Sequence, residues 1–203
     1  MHTFRFREAF SWLLAFCPRQ RGTLTRRIAP SRDHVTEITF TCDASPWGIG
    51  GVLYSNGDPI SWFADRITQM DTQLLRANSG ESKHLTIWEA LAILVGLRLW
   101  RSPDHTGASV QVRSDSLGAL LSASKGSSSS PGLNHILREI ALEDAELGNR
   151  ISAGTHIPGM TNKAADALSR LWAPAPAAIP AEPQGVPHVK APAPADRCAF
   201  ARA

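Results

Sequence analysis

A single α/β domain, with a five-stranded mixed sheet flanked by helices, is the fold class that this sequence of 203 residues predicts. Three segments with strand-like alternation follow one another over 35–63, and segments with helical and strand spacing alternate over 82–172. A meander followed by such alternation is typical of a mixed sheet with helices packed on it. The chain is 43% hydrophobic and 19% charged, which is ordinary for a soluble globular protein with one core.

The first part of the sheet is predicted to be an antiparallel meander. Residues 35–42 alternate β-branched or aromatic residues with polar ones, and a second strand is predicted over 49–54. Residues 55–58 provide hairpin-turn residues before a third strand over 59–63. We expect the polar residues 64–82 to form a connector.

The second part of the domain alternates helices with strands. Residues 82–100 have helical spacing and a composition rich in good helix formers, and 126–130 read as a flexible Gly/Ser loop. The remaining elements are predicted as a fourth strand over 109–113, helices over 116–124 and 133–147, a fifth strand over 151–156 and a last helix over 163–172.

The two ends of the chain differ from the domain in composition. Residues 1–34 contain seven arginines against Glu8 and Asp33, a local charge of +5 in a chain whose total is +3, which leaves the predicted domain over 35–172 acidic. Residues 173–203 are dominated by Pro and Ala, a composition that predicts a disordered tail. The three cysteines are too widely spaced for a metal knuckle, which fits a reducing compartment. No apolar run is long enough to span a membrane, so we expect an intracellular protein, in cytoplasm or nucleus, with no membrane partner.

Four acidic residues occupy positions where a charged carboxylate needs a structural or functional explanation. Asp43 closes the first strand and Asp115 follows the fourth, although a turn-starting Asp and a helix N-cap are sufficient structural explanations. Glu89 lies on an apolar stripe of a helix, where the alternative is a rim position that reaches solvent. Asp166 lies in the first turn of the last helix, where an acid also complements the helix dipole.

Taken together, the four carboxylates favour a metal site. Two strand ends, one inward-facing helical position and one helix start can converge at one edge of a mixed sheet. Oxygen ligands without Cys or His suit hard cations such as Mg²⁺ or Mn²⁺ and not zinc. Two such ions are a common device for in-line displacement at phosphorus.

The residues around these acids resemble the RNase H domains of retroelement polyproteins, over roughly 35–172. The first motif of that family resembles TCDASPWGIGGVL, which runs from Thr41 to Leu53, and the last resembles HIPGMTNKAADALSR, from His156 to Arg170. The second and third motifs resemble Trp88-Glu89-Ala90 and Arg113-Ser114-Asp115-Ser116. All four motifs occur in the order of the family and on the expected elements.

The resemblance implies an RNase H-like fold and an endoribonuclease that cleaves the RNA strand of RNA–DNA hybrids during reverse transcription. It implies that two Mg²⁺ ions, with Mn²⁺ as a possible substitute, are held by the catalytic residues Asp43, Glu89, Asp115 and Asp166. It further implies an upstream reverse transcriptase domain in the same polyprotein, of which residues 1–34 would be the end of the connection. Ser45, Ser116 and Asn162 are candidates for contacts with the substrate backbone, although Ser and Asn at turns need no such role.

The sequence departs from the family at two places. Cellular RNase H enzymes carry a mobile His shortly before the last Asp, and Met160 stands there in this chain. His156 lies four residues earlier and is expected to be an ordinary strand-end histidine. The loop after Lys125 lacks the basic protrusion with which some cellular enzymes grip the hybrid, so the isolated domain is expected to bind weakly.

Two other readings remain open from the sequence. One is a catalytically inactive RNase H-like module of a decayed retroelement that only binds nucleic acid. The other is a different nuclease of the same superfamily, which fits the third strand and the last motif less well.

Overall fold

The computed structural model describes residues 38–100, 110–147 and 151–197. The Arg-rich segment 1–34 lies outside them. Five strands are present in the described ranges: β1 (Ile38–Ala44), β2 (Gly48–Ser55), β3 (Asp58–Arg66), β4 (Val110–Ser114) and β5 (Ile151–His156). The α-helices in the same ranges are α1 (Gln69–Leu75), α2 (Leu85–Trp100), α3 (Leu117–Lys125), α4 (Pro131–Leu147), α5 (Lys163–Ser169) and α6 (Pro194–Arg197). None of these helices is both long enough and apolar enough to cross a membrane.

The strands form one sheet in the order β3-β2-β1-β4-β5. β1, β2 and β3 pair antiparallel as a meander, whereas β4 runs parallel to both β1 and β5. The predicted fold class, a five-stranded mixed sheet with an antiparallel meander, is therefore confirmed.

The sheet is covered on both faces by apolar side chains. Phe40 and Cys42 of β1 are fully buried in the larger core, together with most of the inward face of α2. On the opposite face, Val52 packs with Ala164 and Leu168 of α5. Since side chains alternate along a strand, the odd-numbered β1 residues, Asp43 among them, lie on the α5 face.

α5 lies unusually close to the sheet at Gly50, which is paired with Asp43 in the β1–β2 register. A Cβ atom at Gly50 would lie 2.6 Å from Leu168 Cβ and 2.8 Å from the Ser169 amide nitrogen. Only glycine permits this approach, which brings the end of α5 next to Asp43.

The structure differs from the predictions in two elements. The polar connector expected over 64–82 contains the end of β3 and the helix α1, which begins with a capping box between Thr68 and Asp71. The last helix of the domain ends at Ser169 and not at residue 172, because the next residue, Arg170, is its C-cap.

The tail also differs from the disorder expected of its Pro/Ala-rich composition. Residues 187–189 lie along the outer edge of β3: the Trp62 amide donates to the Pro187 carbonyl at 3.1 Å, and the Val189 amide donates to the Trp62 carbonyl at 2.8 Å. Further on, the fully buried Arg197 forms ion pairs with Asp65 and Asp71. These specific pairs explain how a segment with few large apolar residues is held against the domain.

Candidate active site

Two of the four predicted carboxylates are brought together by the register of β1 and β4. The strands are parallel and pair Thr41 with Arg113. Asp43 and Asp115 both lie two residues further along the chain, so they reach the same edge of the sheet. The parallel pairing thus places side by side two acids that are 72 positions apart in the sequence.

Asp43 is the most deeply buried of the four, with 5% of its surface exposed. Its Oδ2 atom accepts a hydrogen bond from Ser169 Oγ at 2.9 Å. Burial first, and then the negative charge of Asp115, raise the pKa of Asp43 to about 8, while the Ser169 hydroxyl opposes the rise. The charge of Asp166 and a hydrogen bond shared with the Asp115 side chain raise this pKa further.

Glu89 reaches the same region from α2, on the other face of the sheet. It is partly buried, and its Oε2 atom accepts a very short hydrogen bond from the Ser116 hydroxyl. Burial raises the pKa of Glu89, the Ser116 hydrogen bond lowers it, and the charge of Asp115 raises it. Asp115 therefore acts electrostatically on both Asp43 and Glu89.

Asp115 is held by the end of β5 and by the segment that follows it. Asn162 Nδ2 donates to the Cys42 carbonyl at 3.1 Å and lies 3.5 Å from Asp115 Oδ1. His156 Nε2 lies 3.1 Å from the Asp115 carbonyl oxygen and donates to it when that nitrogen carries the proton. A Cβ atom at Gly159 would come within 3.1 Å of Asp115 Oδ2, so the Pro-Gly turn passes directly beside this carboxylate.

Asp166, in the first turn of α5, forms an ion pair with Arg170 one helical turn later, at 2.6 Å between Oδ1 and Nε. Both side chains are about half exposed, at 43% and 50%. Asp166 raises the pKa of Arg170 by its hydrogen bond, and the charges of Asp43 and Asp115 act in the same direction. The guanidinium group therefore feels three of the four acids.

We call Asp43, Glu89, Asp115 and Asp166 the carboxylate cluster. The β1–β4 register brings Asp43 and Asp115 together, Ser116 next to Asp115 bonds Glu89, and Ser169 bonds both Asp43 and the Asp166 carbonyl, so all four lie at one end of the sheet. In the ranges that the structure describes, however, no three Asp, Glu, His or Cys side chains already converge on a single metal position. Ser116 holds Glu89 and Arg170 holds Asp166, so the cluster consists of neighbouring carboxylates that have internal partners.

The donor chemistry of the cluster suits a hard cation. All its charged donors are carboxylate oxygens. Next to them, Asn162 Oδ1 is buried without a hydrogen-bond partner, while Nδ2 of the same amide is the atom that faces Asp115. A buried acceptor without a partner is unfavourable unless a donor or a cation reaches it. A cation would also offset the burial and the repulsion from Asp115 that together raise the pKa of Asp43.

The three residues predicted to contact substrate are buried and have internal partners. Ser45 Oγ donates to the Ser169 carbonyl at 2.6 Å and accepts from the amides of Trp47 and Gly48. Ser116 is the N-cap of α3, and Asn162 is only 2% exposed. Their contacts with a nucleic-acid backbone stay predictions.

Two residues without a predicted role complete the surroundings of the cluster. Ser169 and Arg170 follow Asp166 at the i+3 and i+4 positions, the spacing that places residues on one face of a helix. Their spacing from Asp166 is the feature of the sequence that predicts both contacts. Met160, which stands at the position of the auxiliary His of cellular enzymes, is 82% exposed.

Comparison with known proteins gives a likeness in fold. No family model matches the chain, and neither does any curated protein. LC11-RNase H1, solved in complex with an RNA/DNA hybrid, is 20% identical with a TM-score of 0.51, covering 64% of this chain and 92% of that one. A second structure of LC11-RNase H1, which was isolated from compost, is 20% identical with a TM-score of 0.50, covering 66% and 91%. RNase H1 from Halobacterium salinarum is 20% identical with a TM-score of 0.48, covering 66% and 94%. The two LC11 structures show that this chain has the RNase H fold.

Proposed function

We propose that this chain is a metal-dependent endoribonuclease that cleaves the RNA strand of RNA–DNA hybrids. The observation that supports it best is the gathering of the carboxylate cluster at one edge of a sheet with the RNase H fold. One structural neighbour was solved with an RNA/DNA hybrid, which makes that substrate the first one to test.

The four carboxylates would hold two divalent cations, Mg²⁺ or Mn²⁺. When bound, such ions activate a water molecule and stabilise charge on the phosphate and the leaving oxygen. The residues of the chain prepare the site. Asp43 and Asp115 stand on adjacent strand ends, and the Ser169 hydroxyl favours the ionised form of Asp43. Glu89 and Asp166 approach from helices on opposite faces, held by Ser116 and Arg170.

We further propose that the domain belongs to a retroelement polyprotein and works inside the cell with an upstream reverse transcriptase domain. The four motifs quoted above support this context, the last one most strongly. The described surface next to α3 offers Lys125 but no basic protrusion, which fits a domain that relies on a neighbour to hold the hybrid.

One observation favours a second candidate, an inactive module that only binds nucleic acid. Glu89 and Asp166 are bonded to Ser116 and Arg170, and no three acids in the described ranges point to one position. If these partners are not released in the presence of a cation, the fold would bind a hybrid without cleaving it.

A cleavage assay tests the proposal. The full chain is incubated with labelled RNA–DNA hybrid, DNA duplex or RNA duplex, each with Mg²⁺, Mn²⁺ or EDTA. We expect metal-dependent cleavage of RNA in the hybrid alone, and a loss of at least about a hundredfold in Asp115→Asn. Asp58→Asn, which neutralises an exposed acid at the start of β3, is the matched control and should keep full activity.

Three results would overturn the proposal. Cleavage of all three substrates would indicate another nuclease, and full activity of Asp115→Asn would exclude the cluster as the site. Binding of the hybrid without cleavage, with Mn²⁺ and excess protein, would establish the inactive module.

A further inference from the structure

A cavity of about 400 Å³ lies beside the carboxylate cluster, on the sheet face that carries α5. This volume is in the range of pockets that hold small ligands. Besides Asn56 in the β2–β3 turn, its polar lining comes from three strands, the turn after β5 and the tail: Thr39, Thr41, Tyr54, Arg113, Thr161 and Glu182. Because Glu182 belongs to the tail, the cavity is complete only while the tail is docked.

The cavity adjoins the cluster along β1 and β4, two residues before Asp43 and Asp115 in the sequence. Thr41 and Arg113 are partners in the β1–β4 register; Asp43 lies two residues further on in β1, and Asp115 directly follows the end of β4. Two residues of a strand span roughly 7 Å. A strand of nucleic acid with one phosphate at the cluster could therefore place a neighbouring nucleotide in the cavity.

Arg113 provides the cavity with an anion-binding group. Its side chain is exposed, and its Nε atom donates to Gln111 Oε1 at 3.0 Å. Within the described part of the chain its two terminal nitrogens form no ion pair, which leaves them available to a ligand. A guanidinium group is well matched to phosphate, which it can bind with two parallel hydrogen bonds.

Glu182 and Tyr54 face the same space and provide groups for hydroxyls. Tyr54 Oη donates to Glu182 Oε1 at 2.8 Å. Burial first, and then this bond, raise the pKa of Tyr54 to about 12, so its hydroxyl stays protonated at neutral pH. The Glu182 carboxylate keeps further acceptor capacity for sugar hydroxyls, and the hydroxyls of Thr39 and Thr41 add donors and acceptors.

We propose that this cavity binds a ribonucleotide, with Arg113 on its phosphate and Glu182 on its ribose hydroxyls. An anion-binding arginine and a hydroxyl-binding carboxylate in one small cavity match a sugar phosphate better than a free anion. The proposal goes beyond the proposed cleavage function, which would supply such a unit as part of an RNA strand. A free ribonucleotide presents the same chemistry.

The protein offers a specific probe, because Tyr54 is the only tyrosine in the chain. Labelling the full chain with ¹³C-tyrosine gives ring resonances from this one residue, and the titrations are run in EDTA. We expect AMP to shift these resonances in a saturable way, and dAMP to bind several-fold more weakly because it lacks the 2′-hydroxyl. Arg113→Gln should weaken AMP binding at least about tenfold, as expected for loss of a charged hydrogen bond.

Matched variants separate the two halves of the cavity. Glu182→Gln should reduce the preference for AMP over dAMP while AMP still binds. Lys125→Gln removes a positive charge from the end of α3 and should leave AMP binding unchanged. Arg113 and Glu182 are both exposed, so their substitution should not unfold the protein, and an unchanged urea unfolding transition of the free variants verifies this.

The source of the ribonucleotide is tested with nucleic acids. A hybrid with a single-stranded RNA overhang that displaces AMP from the cavity would identify an RNA strand as the source. If AMP binds in the cavity and the hybrid does not displace it, the ligand is a free ribonucleotide. Both results keep the proposed ligand.

Several outcomes would overturn the proposal. They are the absence of any Tyr54 shift with millimolar AMP, an unchanged affinity in Arg113→Gln, equal affinity for dAMP, or an equal response to inorganic phosphate. Since cleavage is impossible in EDTA, these outcomes are independent of the cleavage assay, and either proposal can fail without the other.

Discussion

Arg170 Nε lies 2.6 Å from Asp166 Oδ1, so one of the four acids of the proposed metal site is already paired with a cationic side chain. The pair spans one turn at the end of α5, and the charges of Asp43 and Asp115 also favour the cationic form of Arg170. A divalent cation that binds Asp166 has to compete with this guanidinium group.

Removal of Arg170 should therefore tighten the binding of Mg²⁺. A half-exposed i,i+4 ion pair is worth about 0.3–0.5 kcal/mol, so Arg170→Gln should bind Mg²⁺ about twofold more tightly. Isothermal titration calorimetry measures this affinity, with Lys125→Gln as a variant that loses a charge away from the cluster. Weaker binding by Arg170→Gln would show that Arg170 supports the site and does not compete for it.

The raised pKa of Asp43 predicts a pH dependence of stability in EDTA. An unfolded Asp loses its proton near pH 3.8, whereas in the folded chain the pKa of Asp43 is about 8. The contribution of Asp43 to stability is therefore fully present below about pH 4 and is lost as the pH rises through about 8. Urea unfolding at several pH values should show that Asp43→Asn removes this part of the decline.

Other acids contribute to the same pH profile, Glu89 in particular, because its pKa is also raised. The informative quantity is therefore the difference between wild type and Asp43→Asn, with the exposed Asp58→Asn as reference. If both variants follow the wild-type profile, Asp43 is ionised in the folded protein and its raised pKa is refuted.

The buried ion pairs of the tail predict a large loss of stability in Arg197→Met. The substitution leaves Asp71, which is 2% exposed, without its cationic partner, and breaking a buried pair costs about 3–5 kcal/mol. Adding Asp71→Asn should recover part of the loss, because the uncompensated charge is then gone.

Urea unfolding of the full chain measures both variants of this pair. Lys190→Met, an exposed cation in the same tail, is the control and should change stability little. A similarly small change in Arg197→Met would mean that the tail is not held by this residue in solution.

The close approach of α5 to the sheet predicts that Gly50→Ala is harmful. The new Cβ atom would lie 2.8 Å from the backbone nitrogen of Ser169, so α5 must move. We expect a loss of about 1–3 kcal/mol, as for other overpacked sites, and weaker Mg²⁺ binding because α5 carries Asp166.

Gly118→Ala in α3 is the contrasting substitution. Its Cβ atom would meet Thr86 Cγ2 at 3.4 Å, an ordinary contact, and alanine favours a helix over glycine by about 1 kcal/mol. Urea unfolding should therefore show a loss for Gly50→Ala and a gain for Gly118→Ala. Equal effects would mean that α5 does not depend on Gly50 for its position.

The strand and helix order of the fold was predictable because its signals are local. Alternation marked β1 to β3, and helical spacing marked α2 and α4. The helix α1 has a local signal too, the capping box from Thr68 to Asp71, but its polar composition is equally typical of a connector.

The remaining differences come from contacts between distant parts of the chain. Nothing near Arg197 indicates that it is buried against Asp65 and Asp71, more than 120 positions away. The same holds for the bond from Ser169 to Asp43. The positions of the four acids could be predicted from two strand ends, the apolar stripe of one helix and the start of another, but the internal partners of Glu89 and Asp166 could not.

The pairing of residues 187–189 with Trp62 has a consequence for the solubility of the domain. Without these residues the backbone of β3 would present free amide and carbonyl groups along an open sheet edge, next to the large ring of Trp62. Such edges recruit strands from other molecules. A chain shortened to end after α5 would thus be prone to self-association through β3, even with its carboxylates intact.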